Sequence, residues 1–312
     1  MPELPEVEVL KKALIPYICD LKVKDIHFFR KDLRDAIPIS SIQSLLCQTP
    51  ATEHATISSV ARRGKYLLID ICHQNKAAAH YAGSLICHLG MSGHIRVYNR
   101  KAFDDIHKEK KAKHTHWILR GTSHQKVNKK TSLISLHYID PRRFGRLGVH
   151  VGHKEHLCDH PYLQRYGIEP TDVAVNDLSG HLFKHSRKRT LSIKAFIMNQ
   201  HIVVGVGNIY VCEALYTASI SPFKPAGELS KKEYQKLAKA IQSTLHKAIA
   251  SGGSTLKDYW HSKGEAGMFP LMANVYGRKG EPCKHCGHIL VCLRQHQRST
   301  FMCPYCQKNH SS

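Results

Sequence analysis

The stretch Glu281–His310, EPCKHCGHILVCLRQHQRSTFMCPYCQKNH, contains the most specific pattern in the chain and decides the fold of its C-terminal end. Two Cys-x2-Cys pairs, Cys283/Cys286 and Cys303/Cys306, are separated by sixteen residues. Four thiolates at this spacing suit a closed tetrahedral Zn²⁺ site, and the enclosed stretch has about the length of a β-hairpin. The alternatives, two chance pairs or a redox dithiol, are disfavoured. We therefore predict one structural zinc ion per chain, bound by these four cysteines.

The other cysteines show no such pairing. The chain has 11 in all, and seven lie singly among apolar neighbours, at positions 19, 47, 72, 87, 158, 212 and 292. This arrangement predicts buried, reduced thiols of a cytosolic protein and not a disulfide framework. The chain shows neither a secretory signal pattern nor a run of apolar residues long enough for a membrane span, so a cytoplasmic location is expected.

Net charge is the strongest global signal. The 312 residues carry a formal charge of +22, with a pI near 9.6. Such a balance favours a nucleic-acid partner, because basic side chains displace counterions from phosphates. A basic protein of the membrane surface is the alternative, but we find no Lys/Arg-rich amphipathic helix to support it.

The pattern of apolar residues changes midway along the chain. Short β-branched runs between Ile57 and Val151 predict strands, preceded by one helix near residues 7–18. Helical spacing follows, and Ser230–Glu233 forms a capping box before a helix that Gly252 ends. We predict an α+β protein: an N-terminal β-sandwich domain (1–152), a helical helix–two-turn–helix domain (165–272) and a zinc finger (273–312).

The glycine-rich stretch GVGNIY, residues 205–210, could indicate a dinucleotide site, but a lone G-x-G is a weak signal. A helix–two-turn–helix connection fits the charge better, with backbone N–H groups of a helix N-terminus facing a phosphate. Asn208 would add its side-chain amide to the same phosphate. An ordinary helix N-cap at Asn208 remains an alternative.

Two further turns carry side chains that suit DNA. The turn DPRRFG (140–145) places Phe144 beside Arg142 and Arg143, and the turn HLGMSGH (88–94) places Met91 among small residues. An apolar side chain next to guanidinium groups can insert between bases and fill the space left by a flipped nucleotide. Taken separately, each fits a packed turn residue better; together, on a strongly basic chain, they indicate a wedge.

The N-terminus, MPELPEVEVL, places Pro2 and Glu3 directly after the initiator Met1. Removal of Met1 would expose a secondary amine with a carboxylate beside it. These groups could act as a nucleophile and a proton carrier. A solvated N-terminus is the simple alternative.

Taken together, the motifs resemble bacterial formamidopyrimidine-DNA glycosylase, a bifunctional glycosylase and lyase that excises 8-oxoguanine. The resemblance runs in order through MPELPEVE (1–8), RRGKYLL (62–68), HLGMSG (88–93), DPRRFG (140–145), GVGNIY (205–210), VYGRKGEPC (275–283) and QRSTF (297–301) inside the finger. It covers essentially the whole chain. It implies removal of oxidised purines, formamidopyrimidines included, through an imine on Pro2, followed by strand cleavage by β,δ-elimination.

The resemblance also implies roles for individual residues. Pro2 matches the nucleophile, Glu3 the acidic catalytic residue and Glu6 a supporting acid, while Lys65 matches a lysine beside the catalytic centre. The side chains implied to fill the vacated space and contact the orphaned cytosine are Met91, Arg142 and Phe144; those implied to contact phosphates are Asn208, Tyr276 and Arg298, the last also counted as catalytic. We add Arg143 and His114 as DNA contacts. His114 and His116, two apart on a strand, would share a face, which could suggest a metal site, but a phosphate contact or packing is favoured.

The expected partner is double-stranded DNA with oxidised bases, in the cleft between the halves of a monomer bound to the bacterial nucleoid. Neither a membrane nor a small-molecule cofactor is expected. The rival functions are an endonuclease VIII-like glycosylase for oxidised pyrimidines and a non-catalytic, zinc-dependent protein that binds damaged DNA. Two segments stay open: the basic connector 120–132, and the loop 258–269, which matches the family's closing loop over the extruded base.

Overall fold

The computed structural model describes residues 2–47, 53–75, 78–100, 102, 106–109, 113–124, 131–253 and 273–308. The described residues divide into two compact units. The first unit comprises Pro2 and Val7–Gln164; the second comprises Glu3–Glu6 together with residues 165–253 and 273–308. The loop 258–269 and residues 125–130 of the connector 120–132 lie outside the described residues, whereas 120–124 and 131–132 lie in strands. The domain boundaries given above remain a prediction.

The first unit consists of an antiparallel sheet with short helices. Its elements are, in chain order, α1 (Leu4–Ile18, whose first turn is counted with the second unit), β1 (Leu21–Phe28), α2 (Ile39–Cys47), β2 (His54–Arg63), β3 (Tyr66–Gln74), β4 (Ala79–His88), β5 (His94–Arg100), α3 (Ile106–Glu109), β6 (Thr115–His124), β7 (Thr131–Ile139), β8 (Arg146–Val151) and a 3₁₀ turn (Lys154–Asp159).

All eight strands form one hydrogen-bonded ladder in the order β5-β7-β6-β1-β2-β3-β4-β8. A short turn, residues 89–93, joins β4 to β5, although five strands lie between them in the ladder. Six strand spacings amount to about 29 Å, whereas a turn of this length reaches at most about 20 Å. The ladder therefore folds back on itself. Gly145 confirms this, because it lies against both the Tyr138 ring of β7 and the His88 carbonyl of β4.

The α+β class is thus confirmed, and the sandwich-like domain is built from one continuous sheet. Its core lies inside the folded sheet, where Trp117 and Tyr138 stack at 5.3 Å between ring centroids. The sequence analysis missed the strand β1 and the helix α2, and the prediction of a single helix was wrong. In β1 only every second residue of its first half is buried, so its apolar content is low.

The second unit is helical and ends in a hairpin. It contains α4 (Val175–Ser186), α5 (Ile193–Ile197), α6 (Asn208–Thr217), a 3₁₀ turn (Ala226–Glu228), α7 (Lys231–Ala250), β9 (Val291–Gln295) and β10 (Arg298–Met302). The predicted capping box of α7 is present: Glu233 N–H donates to Ser230 Oγ at 3.3 Å, and Ser230 N–H donates to a Glu233 carboxylate oxygen at 2.8 Å. Gly252 and Gly253, both with φ near +80°, follow the last turn as predicted.

Of the seven scattered cysteines predicted to be buried, only Cys87 and Cys212 are buried, and Cys19, Cys72 and Cys292 are half-buried. The prediction was wrong for the remaining two. Cys47 ends α2 and Cys158 lies in a 3₁₀ turn, and both are exposed. Apolar neighbours in sequence do not guarantee burial at the end of a helix, where the chain leaves the core. Within the described ranges, no helix has the length and apolar character that a membrane span requires.

Candidate functional site

The carboxylate of Glu3 lies at the N-terminus of α6. Its oxygens accept hydrogen bonds from the backbone N–H groups of Gly207 (2.8 Å) and Ile209 (3.3 Å), and the side chain is 2% exposed. These amides would otherwise be unpaired at the start of the helix, and the helix dipole favours a negative charge there. The prediction that the backbone of this turn faces a phosphate is therefore wrong for these two groups, because Glu3 occupies them.

Glycine is required on both sides of Val206. A Cβ at Gly207 would overlap the Glu3 carboxyl group, and Gly205, at φ +80°, would bring a Cβ into the Leu4 side chain. The G-x-G pattern therefore permits close approach of the first turn of α1, and it is not a dinucleotide fingerprint. Leu4 N–H donates to the Gly205 carbonyl at 3.1 Å, which completes the attachment.

A second buried acid supports Glu3. The Glu6 carboxylate accepts a hydrogen bond from the Glu3 backbone N–H at 2.7 Å and a short one from the Tyr210 hydroxyl. Glu6 is 2% exposed and also lies beside Gly253, which follows α7. This arrangement fits the predicted supporting role, since it orients the peptide that precedes Glu3.

Pro2 and Lys65 lie in the first unit. Pro2 is buried just before α1, and Lys65 is 8% exposed in the two-residue turn between β2 and β3. Burial and the positive charges of Lys65 and neighbouring arginines lower the pKa of His88 to about 3. His88 is therefore neutral, and its Nδ1 accepts a hydrogen bond from Gly90 N–H at 3.0 Å.

The structure brings together the two turns that carry Met91, Arg142 and Phe144. Met91 and Phe144 are 38% and 40% exposed, and the Arg142 guanidinium lies 4.9 Å from the centroid of the Phe144 ring. Large apolar side chains at this exposure have little to pack against in the free protein, as a wedge requires.

Asp140 holds these turns in place. Its carboxylate accepts hydrogen bonds from Ser92 Oγ (2.6 Å) and from the backbone N–H groups of Gly145 (2.8 Å) and Arg142 (3.3 Å). Asp140 is fully buried, and its bond to Gly145 is shielded from water. Sequence reasoning treated Asp140 only as part of a motif, although aspartate at the first position of a turn is a recognised signal.

The predicted pairing of His114 with His116 was wrong. His114 lies in the turn before β6, and a bulge at Thr115 interrupts the alternation of side chains. His116 is buried, and its Nε2 donates to the Asp140 carbonyl at 2.7 Å, so it packs within the domain. His114 and the exposed Arg143, at φ +57°, remain predicted DNA contacts.

Asn208 is the first residue of α6, and the cap position belongs to Gly207, so the N-cap alternative was wrong. The Asn208 amide donates to the Ser299 carbonyl of the hairpin at 3.0 Å, while its Oδ1 is buried and has no hydrogen-bond partner among the residues that the structure describes. Burial raises the pKa of the nearby Tyr276, and the negative charge of Glu3 adds to this increase. A hydrogen bond with the Asn208 side chain lowers the same pKa. Asn208 and Tyr276 therefore lie close to Glu3 within the second unit.

Sequence reasoning missed two buried residues that hold these side chains. Glu213, on α6, accepts hydrogen bonds of 2.8 to 2.9 Å from the backbone N–H groups of Asn274, Val275 and Tyr276. Lys194, on α5, donates to the Ser299 carbonyl (3.0 Å) and to Thr300 Oγ1 (2.7 Å). A single charge in an otherwise apolar helix, as in NIYVCEALYT and IKAFI, was the available signal.

Arg298 is exposed at the first position of β10, directly after a two-residue hairpin turn. That turn, His296 and Gln297, has both residues at positive φ (47° and 60°), as a type I′ turn requires. Arg298 lines a cleft of about 220 Å³ together with Lys194, Asn199 and His296. Its guanidinium therefore lies in a cleft that also contains the Lys194 side chain, as expected for a phosphate contact.

The four predicted cysteines converge at the base of this hairpin. Their Sγ atoms all lie within 4.8 Å of one another, with Cys283–Cys306 at 3.9 Å and Cys286–Cys303 at 3.5 Å. Thiolates on a tetrahedral Zn²⁺ lie about 3.8 Å apart, given a Zn–S bond of about 2.3 Å. The four side chains therefore fit a zinc ion, and Cys292, on β9, is not one of the ligands.

Family models and known relatives match this chain over almost its whole length. Three family models match: the formamidopyrimidine-DNA glycosylase N-terminal domain at residues 1–147, its H2TH domain at 166–259, and the zinc finger found in FPG and IleRS at 280–309. The formamidopyrimidine-DNA glycosylase of Ralstonia pickettii is 39% identical over 99% of this chain and 100% of its own length. That of Saccharophagus degradans is 37% identical with the same coverage.

Solved structures of similar proteins also match this chain over nearly its whole length. The complex of Lactococcus lactis Fpg with DNA containing an abasic site has a TM-score of 0.77 and 28% identity, over 98% of this chain and 100% of that one. The complex of the wild-type Lactococcus lactis enzyme with DNA containing an oxidised pyrimidine has a TM-score of 0.78 and 28% identity, over 99% and 100%. On the family models and the full-length relatives, this chain belongs to the formamidopyrimidine-DNA glycosylase family.

Proposed function

We propose that this chain removes oxidised purines from duplex DNA through the amine of Pro2 and cleaves the strand at the resulting site. The observation that carries the proposal is the Glu3 carboxylate, buried and held by two backbone amides directly beside Pro2 in the chain. A buried, fixed acid next to an N-terminal secondary amine forms a pair suited to covalent catalysis at a sugar carbon.

The reaction begins once Met1 is removed, because only then is the Pro2 nitrogen an amine. An α-amino group titrates near pH 8, so a useful fraction is unprotonated at neutral pH. Its lone pair forms a bond to C1′ of the sugar, and the bond from C1′ to the damaged base breaks. The departing base takes a proton from water. The Glu3 carboxylate accepts the proton that the Pro2 nitrogen loses and donates it to the ring oxygen as the bond from that oxygen to C1′ opens.

The covalent intermediate drives the cleavage. Because the proline nitrogen is secondary, the imine on C1′ carries a positive charge, which acidifies the C2′ proton. Loss of that proton breaks the bond to the 3′ phosphate, and a second elimination breaks the bond on the 5′ side. The products are a one-nucleoside gap with a phosphate at each end, the free base and a sugar fragment on Pro2 that water releases.

The remaining site residues bind and position the DNA. Met91, Arg142 and Phe144 fill the space of the flipped nucleotide, with Arg143 and His114 beside them on the duplex. Asn208, Tyr276 and Arg298 hold phosphates, while Lys65 contacts DNA beside Pro2. The zinc ion, bound by four thiolates, holds the hairpin that presents Arg298. The positive charge of the chain favours binding along chromosomal DNA, hence association with the nucleoid.

An oxidised pyrimidine is the second candidate substrate, since the Lactococcus lactis relative has a structure with DNA that contains one. The test compares single-turnover excision of 8-oxoguanine and of 5-hydroxyuracil from otherwise identical duplexes. We expect faster excision of 8-oxoguanine opposite cytosine. Faster excision of 5-hydroxyuracil would overturn the purine assignment. Tight binding of both duplexes without excision of either would leave only a DNA-binding protein.

A further inference from the structure

A second group of metal-binding side chains lies in the first unit, apart from the four cysteines of the second. Glu53, His73 and His80 each offer one ligand atom, and these three atoms lie within 4.8 Å of one another. Glu53 and His73 are half-buried and His80 is exposed. The proposed glycosylase chemistry uses none of the three.

The strand register explains why these side chains meet. His73 of β3 is directly opposite His80 of β4 and, on its other side, opposite Ala55 of β2. Paired residues of neighbouring antiparallel strands point to the same face of the sheet. Glu53 precedes Ala55 by two residues and so points to that face as well. The small Ala55 side chain leaves room between Glu53 and His73.

A hydrogen bond orients the central histidine. His73 Nε2 lies 2.8 Å from the carbonyl oxygen of Leu45, in the last turn of α2. A carbonyl can only accept, so Nε2 carries the proton and the neutral ring keeps a lone pair on Nδ1. Metal-bound histidines typically donate their second ring nitrogen to a backbone carbonyl in this way. The C-terminal end of α2 also favours a nearby cation.

We propose that Glu53, His73 and His80 bind a divalent transition-metal ion of the zinc type. Two imidazoles and a carboxylate form a mixed nitrogen and oxygen donor set that suits Zn²⁺, with water in the fourth position. Ligand atoms on one tetrahedral zinc ion lie about 3.3 Å apart, so from separations of up to 4.8 Å the three atoms need to approach by at most about 1.5 Å. Rotation of the exposed His80 side chain supplies that movement. The bound ion joins β2, β3 and β4.

The test counts zinc ions per chain in the full-length, untagged protein after dialysis against buffers of increasing free Zn²⁺. The four-cysteine site fills first, because it has four thiolate ligands and the proposed site has three weaker ones. We expect a second equivalent at higher free Zn²⁺, together with a Zn²⁺-dependent rise in Tm. His80→Gln loses that second equivalent and the rise in Tm, while the first equivalent is retained.

The matched control is His54→Gln. His54 adjoins Glu53 in sequence but, one residue along β2, points to the opposite face, so this variant keeps both equivalents. A wild-type chain that binds one ion at every Zn²⁺ concentration would overturn the proposal. So would a second equivalent that survives in His80→Gln, or one that is lost in His54→Gln.

Discussion

At the scale of the residue, Gly207 shows how one missing side chain positions a reactive group. Its φ of −116° is open to any residue, so backbone strain does not require glycine there. The requirement comes from Glu3, whose carboxyl group occupies the place of a Cβ. The spacing of glycines in GVGNIY was visible in the sequence. That Gly207 would contact Glu3, about two hundred residues earlier in the chain, was not.

We therefore predict that Gly207→Ala moves the Glu3 carboxylate and lowers single-turnover excision by about 100-fold, the usual cost of misplacing a catalytic group by about 1 Å. Rapid-quench kinetics at saturating enzyme measure this. The control is Gly180→Ala on α4, where an added Cβ meets nothing within 4 Å. It should keep the wild-type rate and gain slightly in stability. Wild-type excision in Gly207→Ala would show that the position of Glu3 does not matter.

His88 gives a second prediction at this scale. Burial, with the nearby charge of Lys65, lowers its pKa from 6.5 to about 3 on folding. Between these values the unfolded chain binds a proton that the folded chain does not, so stability falls as the pH drops below 6.5. Each pH unit costs up to about 1.4 kcal/mol, hence about 2 kcal/mol at pH 5.

The variant His88→Asn keeps an acceptor for Gly90 but has no proton to gain. Its free energy of unfolding should fall about 2 kcal/mol less than that of the wild type between pH 7 and pH 5. Urea unfolding at both pH values measures the difference. His246→Asn, on the exposed face of α7, should follow the wild type. Equal losses in His88→Asn and the wild type would contradict a neutral His88 in the folded chain.

At the scale of the element, the zinc hairpin depends on contacts from both its ends. The four thiolates close its base, and Lys194 of α5 binds Ser299 and Thr300 near its tip. Lysine is rarely this deeply buried unless its charge is satisfied, and these two hydrogen bonds satisfy it. Burial lowers the pKa of Lys194, the nearby Cys212 raises it, and the positive charge of Arg298 lowers it.

Removal of zinc by a chelator should unfold the hairpin, because metal binding and folding are coupled in such small modules. Hydrogen exchange measures this: the paired amides of β9 and β10 should lose protection, while those of β3, in the sheet, keep it. Hairpin amides that stay protected in the metal-free protein would contradict a structural role for the ion.

Lys194→Met removes the contact of α5 with the hairpin but leaves the four cysteine ligands unchanged. It leaves the Thr300 hydroxyl and the Ser299 carbonyl without their partner, so Arg298 should be held less firmly and DNA binding should weaken about tenfold, or about 1.4 kcal/mol. Lys232→Met removes the same charge from the exposed start of α7 and should bind almost normally. Zinc content should stay at the wild-type value in both. Equal affinities would show that the contact does not position Arg298.

The elements differ in how far the sequence predicts them. The zinc hairpin and α7 follow from local signals, a cysteine spacing and a capping box, that need no distant partner. β1 and α2 were missed because their pattern is only half apolar and their burial depends on the rest of the sheet. The bulge at Thr115 likewise broke the alternation on which the pairing of His114 and His116 rested.

At the scale of the whole molecule, the proposed catalytic residues come from segments far apart in the chain. Motifs indicate Pro2, Glu3 and Arg298 as candidates because those residues are themselves part of the motifs. Their supports, such as Asp140 and Glu213, become visible only when the fold shows which backbone amides they accept from. Spacing predicts the reactive groups, and long-range packing decides how they are held.

The proposed mechanism requires that the Pro2 amine form the covalent bond to DNA. Its most direct test is borohydride trapping on a duplex with 8-oxoguanine opposite cytosine, followed by mass spectrometry of the DNA-linked peptide. The Met-processed chain should give an adduct on the N-terminal peptide at Pro2, strongly reduced in Glu3→Gln and absent from the same chain with Met1 retained. An adduct on Lys65, or binding without any adduct, would contradict the account.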